Sequence, residues 1–261
     1  MQNMFQEIQS FRKRLDDGET LVGIGLTIAD PMLAEAVGPE VDFLWFDLEH
    51  NLVNFHDMRN HLIAARATRT PMVVRSPSCD EPTIKRLLDG GVMGLVFPQI
   101  RTVDEGKGIV QACRYTPLGN RGWGPSRSAD YGRIPGLDHV AEANRSVFVA
   151  VQIETKEAFD AADEILAIDG FDSIVVGPND LACNHGEVNQ PGSPANLERI
   201  KEVATKARAA GKHVGVGLGV NPEFALQLAE RGCNWLQVGQ DFSYLLERVN
   251  TVTGELRKAL K

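Results

Sequence analysis

Residues 147–177 read VFVAVQIETKEAFDAADEILAIDGFDSIVVG, and the reading of this stretch decides the fold. It opens on an apolar run, VFVAVQIE (147–154), passes through an amphipathic segment, Lys156–Ile168, and closes on a second apolar run, DSIVVG (172–177). Runs this continuous suit parallel strands covered on both faces, and a helix-period segment between two of them makes a strand–helix–strand unit. The same alternation extends both ways. Upstream stand LVGIGLT (21–27), DFLWFDL (42–48), PMVVRS (71–76) and GLVFPQ (94–99); downstream stand HVGVGLG (213–219) and NWLQVGQ (234–240). Between them lie Phe55–Thr68, Glu81–Asp89, Val103–Cys113, Asn196–Ala210 and Pro222–Arg231, several ending at Gly as helices often do. Eight such units in 261 residues predict an α/β fold, a closed (β/α)8 TIM barrel in a single domain over 1–261. Spacing alone also suits an open doubly wound sheet, but no G-x-G-x-x-G follows the first strand. Helices are expected over roughly 1–19 and roughly 243–260.

Composition narrows the function. With 43% hydrophobic and 24% charged residues the chain can bury a sizeable core, and a net charge of -8 argues against a surface that tracks nucleic-acid phosphates. A local Arg or a bound cation still lets such a protein hold an anionic metabolite. The N-terminal stretch MQNMFQEIQSFRKRLDDGE lacks the apolar run of a signal peptide or membrane span, so a cytoplasmic protein without membrane association is expected. Cys79, Cys113, Cys183 and Cys233 form no CxxC pair and no Cys/His metal spacing, and read as reduced thiols.

The longest connection, about 114–146, carries YTPLGNRGWGPSRSADYG. Loops this long in a compact barrel are usually functional, and its position after the fourth strand is expected to place it on the C-terminal face, where barrel enzymes keep their chemistry.

Polar residues at the strand ends should converge on that face. WFDLEH supplies Asp47, Glu49 and His50; the third strand ends at Arg75; the fifth at Gln152 and Glu154; the turn after the sixth, GPND, carries Asp180. Glu154 and Asp180 can hold a divalent cation through oxygen, leaving positions for water and a 2-oxo acid whose carbonyl the cation polarises, so that an enolate is stabilised. Two carboxylates with open positions accept Mg, Mn, Co or Zn. Arg75 adds a fixed donor at the keto oxygen. Histidine's ordinary pKa lies near neutrality, so His50 suits acid/base work, with Asp47 or Asp89 as the carboxylate that orients it. His56, His61, His139, His185 and His213 read as structural.

Competing chemistries are weaker. A glycosidase built on Glu154 and Asp180 would want aromatic platforms, and the chain has three Trp and three Tyr. A Schiff-base aldolase needs a Lys at a strand end, and none of the eight runs ends in one. The same core also serves C–C lyases of the citrate-lyase type, an oxaloacetate decarboxylase, or a metabolite-binding barrel without turnover.

WFDLEH, VVRSP, LLDGGVMGLVFPQI with YTPLGNRGWG, and QIETKEAFD followed by IVVGPNDLA stand in an order and spacing that resembles the HpcH/HpaI family of class II pyruvate aldolases over nearly the whole chain. The resemblance implies reversible cleavage of 4-hydroxy-2-oxo acids to pyruvate and an aldehyde through an enolate. It implies Glu154 and Asp180 as metal ligands, His50 as acid/base acting through a water, and Arg75 at the keto oxygen. Asp89, from the same or a neighbouring subunit, would pair with the histidine. A homo-oligomer follows, a hexamer, trimer or dimer of trimers. Gln152 and the backbone of Gly177 and Asn179 would contact pyruvate. Leu218 and the Arg121–Arg127 loop would line the aldehyde side. VFPQI, with Phe97 and Gln99, and PSRSADYGR depart from the family's pattern, and both are expected at the pocket rim.

Overall fold

The computed structural model of the protein describes residues 4–261. Eight parallel strands close in sequence order: β1 (Leu21–Leu26), β2 (Phe43–Asp47), β3 (Met72–Arg75), β4 (Gly94–Phe97), β5 (Phe148–Ile153), β6 (Ser173–Val176), β7 (His213–Leu218) and β8 (Trp235–Gln240), with β8 pairing back onto β1. Every strand sits inside its expected run, and closure decides for the barrel over the open sheet.

The helices are α1 (Gln6–Asp16), α2 (Met32–Val37), α3 (Phe55–Thr68), α4 (Glu81–Asp89), α5 (Val103–Cys113), α6 (Gly136–Ser146), α7 (Lys156–Asp160), α8 (Ala162–Leu166), α9 (Pro178–Asn184), α10 (Pro194–Ala209), α11 (Pro222–Ala229) and α12 (Asp241–Ala259). Asn54 and Thr102 open α3 and α5 with capping boxes, and Asp80 caps α4 ahead of its Pro82, so local chemistry fixes these starts. The helix expected over Lys156–Ile168 is two, broken at Ala161, whose ψ of 17° leaves the helical region. Of the N-terminal helix expected over 1–19, residues 1–3 lie outside the described residues and α1 covers the middle. Among the described residues no helix is long and apolar enough to cross a membrane.

Inside the barrel the N-terminal end is filled with rings. Phe11 of α1 reaches in and meets Phe43, Phe148 and Trp235 edge-on, with centroids 5.4, 5.3 and 5.9 Å away. Trp235 is fully buried, and its Nε1 donates to Ser173 Oγ at 2.9 Å. Gly215 on the neighbouring strand has no room for a side chain, because the indole occupies the space of its Cβ. The polar mouth at the opposite end therefore rests on a dry, packed floor.

At the C-terminal face, buried Asp241 ties α12 to β1: its carboxylate accepts from Thr27 N, Thr27 Oγ1 and Ile28 N at 2.7, 2.6 and 2.9 Å. Beyond that anchor α12 carries an apolar set, Leu245, Leu246, Val249, Val252 and Leu256, that is exposed in the single chain.

The long connection is placed differently from expectation. Because α5 stands between β4 and residue 114, the segment runs from a helix back to a strand and so lies at the N-terminal face. Arg121 N donates to Arg114 O, and Arg114 Nη1 to Val147 O, the residue just before β5. The segment also holds its own structure, a 3-10 turn at Arg127–Gly132 followed by α6.

Candidate active site

The C-terminal strand ends surround a cavity of about 370 Å³, lined among others by His50, Arg75, Gln152, Gly177, Asn179, Asp180 and Leu218. One wall is an arginine clamp. Asp47 and Arg75 are register partners on β2 and β3, so their side chains meet at the mouth. Arg75 Nε and Nη2 donate to Asp47 Oδ1 and Oδ2 at 2.9 and 2.6 Å, and Nη1 lies 3.0 Å from Glu49 Oε2. Burial raises the Asp47 carboxyl, but the hydrogen bonds and charge of Arg75 outweigh it and hold Asp47 below the ordinary carboxylate range. Glu49 is held above it, because burial outweighs the attraction of Arg75. The guanidinium sits 5.7 Å from the ring of Trp45, which supports it from below.

On the other side is an acid pair, of which Asp180 lines the cavity and Glu154 is buried beside it. Glu154 follows β5 and is 1% exposed, with Asp180 close in charge across the turn that leaves β6. Gln99 donates to Glu154 Oε1 twice, from its backbone N at 3.0 Å and from Nε2 at 2.9 Å, and Gln152 Nε2 donates to Oε2. Gln99 adopts a left-handed φ of 56° to aim both donors. Gly177 is where the backbone passes over this carboxylate, and a Cβ there would collide with Glu154 Oε2. The turn then enters α9 through Pro178, which lacks an N–H, and the first-turn residues Asn179 and Asp180 line the cavity.

Burial and the charge of Asp180 push Glu154 up to about 7. A buried carboxylate held this high beside a second one fits a cation, which removes the repulsion and favours the ionised form. Gln152 Oε1 is buried without a hydrogen-bond partner among the described residues, a further oxygen beside the pair. No group of three or more His, Cys, Asp or Glu that could hold a metal is present among the described residues. The donors fit a dication that keeps much of its coordination for water and substrate, not a closed four-ligand site.

His50 lines the cavity and is largely exposed, its Nε2 3.5 Å from Glu49 Oε2. Neither expected orienting carboxylate touches it within the chain. Asp47 is spent on Arg75, and Asp89 closes α4 at the opposite face of the barrel, where its Oδ1 accepts from Arg121 Nη2 at 2.8 Å. Arg121 is buried, lies over Tyr115 at 4.5 Å, and is absent from the cavity wall. The Arg121–Arg127 loop and PSRSADYGR therefore do not form the rim in this chain, for the reason given by α5. Phe97 is not at the rim either: as a β4 residue it is fully buried. Gln99, exposed and two residues past the C-terminal end of β4, stands on the mouth side and grips Glu154 through its backbone N and Nε2.

Sequence reading passed over Trp45, Glu49 as a partner of both Arg75 and His50, and Gln237 and Gln240 of β8 with Ser243 of α12, which also line the cavity. A signal for the two glutamines existed, since amides interrupt the otherwise apolar NWLQVGQ.

Crowded carboxylates with an arginine and an imidazole at the same barrel mouth are equipment suited to making and breaking a bond next to a carbonyl, and the class is the aldolase-type carbon–carbon lyases. Comparison with known proteins carries this further. The chain belongs to the HpcH/HpaI aldolase/citrate lyase family, whose profile matches residues 26–247. It is 36% identical to the 2-keto-3-deoxy-L-rhamnonate aldolase of Escherichia coli O157:H7 over 234 residues, 88% of this chain and 86% of that protein. The crystal structure of an HpcH/HpaI aldolase/citrate lyase family protein from Burkholderia cenocepacia J2315 superposes with a TM-score of 0.89 at 32% identity, covering 95% of this chain and 99% of that one. The HpcH/HpaI aldolase from Desulfitobacterium hafniense DCB-2 gives 0.88 at 27% identity, covering 94% and 96%.

Proposed function

We propose that the protein is a single-domain, metal-dependent aldolase that reversibly cleaves 4-hydroxy-2-oxo acids to pyruvate, or a close 2-oxo acid, and an aldehyde. The observation that carries this is buried Glu154, raised by the charge of half-buried Asp180, beside a cavity that Asp180, Arg75 and His50 line together. A divalent cation held by Glu154 and Asp180, whether Mg, Mn, Co or Zn, supplies Lewis-acid polarisation of the 2-oxo group. Arg75, kept in plane by Asp47, presents its remaining N–H groups to the keto oxygen, where negative charge grows as the bond breaks. Gln152 and the backbone at Gly177 and Asn179 orient the substrate carboxylate. His50 accepts the proton of the 4-hydroxyl, directly or through a water, as the C3–C4 bond opens; the aldehyde leaves, and the enolate of pyruvate takes a proton at C3. In condensation the steps run backwards.

Glu49 supplies the carboxylate nearest His50 within the chain. Asp89 belongs to this reading as the contribution of a neighbouring copy, in a homo-oligomer such as a dimer of trimers; the exposed apolar face of α12 supports assembly. The free cysteines agree with a cytoplasmic setting. The test is pyruvate release from a panel of 4-hydroxy-2-oxo acids by metal-stripped protein, before and after each of the four metals. Metal-restored release supports the reading, and release that persists in chelator overturns its metal dependence.

A further inference from the structure

One side of the cavity is not used by the carbonyl chemistry. The end of β8 and the first turn of α12 place three neutral polar side chains on it, Gln237, Gln240 and Ser243. Gln237 is buried, and its Nε2 donates to Gly239 O. Its amide fills room that two glycines leave open: a Cβ on Gly25 would stand 3.0 Å from its Nε2, and one on Gly217 3.0 Å from its Oε1. Gln240 and Ser243 are half-buried in the wall above it. Leu218 and Trp45 add apolar surface.

Among the described residues, the cavity lining carries no charged side chain on this side. The fixed cation lining the cavity is Arg75, three strands round the barrel from β8 and already paired with Asp47 and Glu49. Asp241, on the same turn as Ser243, is occupied by Thr27 and Ile28. Amides and hydroxyls both donate and accept, so they match the hydroxyls of a sugar-derived fragment. A second carboxylate seated here would be desolvated with no unpaired guanidinium or ammonium from the cavity lining of its own chain to meet it.

We infer that Gln240 and Ser243, backed by Gln237, form the acceptor subsite and select neutral hydroxylated aldehydes over aldehydes that carry a second carboxylate. The inference rests on the aldolase reading, and the experiment separates the two. Wild-type protein with Mn is first given pyruvate in deuterated water, and exchange at C3 is followed by NMR; no exchange overturns the aldolase reading and this inference with it. Condensation of pyruvate is then compared for glyceraldehyde and lactaldehyde, for propanal, and for succinic semialdehyde. Wild type should favour the hydroxylated aldehydes over the other two. Gln240→Leu should lower kcat/KM for glyceraldehyde relative to propanal by about tenfold to a hundredfold, mainly through KM for the aldehyde. Ser243→Ala gives the same reading through a smaller change. Gln240→Arg should shift preference towards succinic semialdehyde. Exchange at C3 together with no preference for hydroxylated aldehydes in wild type, or with equal losses for glyceraldehyde and propanal in Gln240→Leu, overturns the subsite and leaves the aldolase reading standing.

Discussion

At the scale of single residues, the position of Glu154 has a cost that can be measured. In the unfolded chain it ionises near 4.5 and in the fold near 7, so between these values unfolding releases a proton and stability falls as pH rises. The metal-free protein should lose about 3 kcal/mol from this group across that window. Urea unfolding of wild type and Glu154→Gln at either end of it reads the difference: the variant should be the more stable form above pH 7 and should bind no Mn, and identical slopes would show that another group titrates. Arg75→Lys keeps the charge but loses the two-pronged grip on Asp47, so activity should drop by more than a hundredfold with the fold intact, checked by kcat alongside circular dichroism. The meeting of Asp180, Arg75 and His50 at one cavity, with Glu154 beside it, was legible in the sequence because each stands at or shortly after a strand end whose direction the apolar runs define. Gln99 as a partner of Glu154 was not, since its left-handed backbone is imposed by its surroundings and no Gly or Asn announces it.

Among elements, the strands were fully legible and so were the helices α3, α4 and α5, whereas the break between α7 and α8 and the place of the long connection were not. Burial on both faces leaves an apolar run that survives any detail of packing, whereas the break at Ala161 inside KEAFDAADEIL has no Gly or Pro to mark it. The long connection was misplaced by counting strands without counting the helix between: a segment that follows α5 must return to the strand N-termini, however rich in Arg and Gly it is. Strand β7 offers a test of the packing that was not visible. Gly215→Ala drives a methyl group into the Trp235 indole, and the overpacking should cost about 1–3 kcal/mol. Thermal unfolding should fall by about 2–4 °C for each kcal/mol, with the active-site residues untouched; an unchanged midpoint would mean that the indole has room to move.

For the whole molecule, the distance between His50 at one face and Asp89 at the other makes assembly part of the proposed chemistry. If Asp89 serves a neighbour, His50→Ala and Asp89→Asn subunits, each nearly inactive alone, should regain part of the wild-type rate when unfolded together and refolded, because mixed assemblies contain some sites with both residues. No recovery, with mixed assemblies demonstrated by mass, would confine Asp89 to a structural role. Val249→Glu in the exposed face of α12 should lower the mass in solution and the activity together, read by light scattering on a sizing column. The ring of Phe11 carries one more consequence. With that end of the barrel stoppered by Phe11, Phe43, Phe148 and Trp235, traffic is left the mouth; in the proposed reading the keto acid held by Arg75 would then stand behind an aldehyde resting against Gln240 and Ser243. Cleavage should then be last-in, first-out: the aldehyde departs before pyruvate, so added pyruvate competes with substrate for free enzyme while added aldehyde does not, and initial-rate inhibition patterns would record the queue.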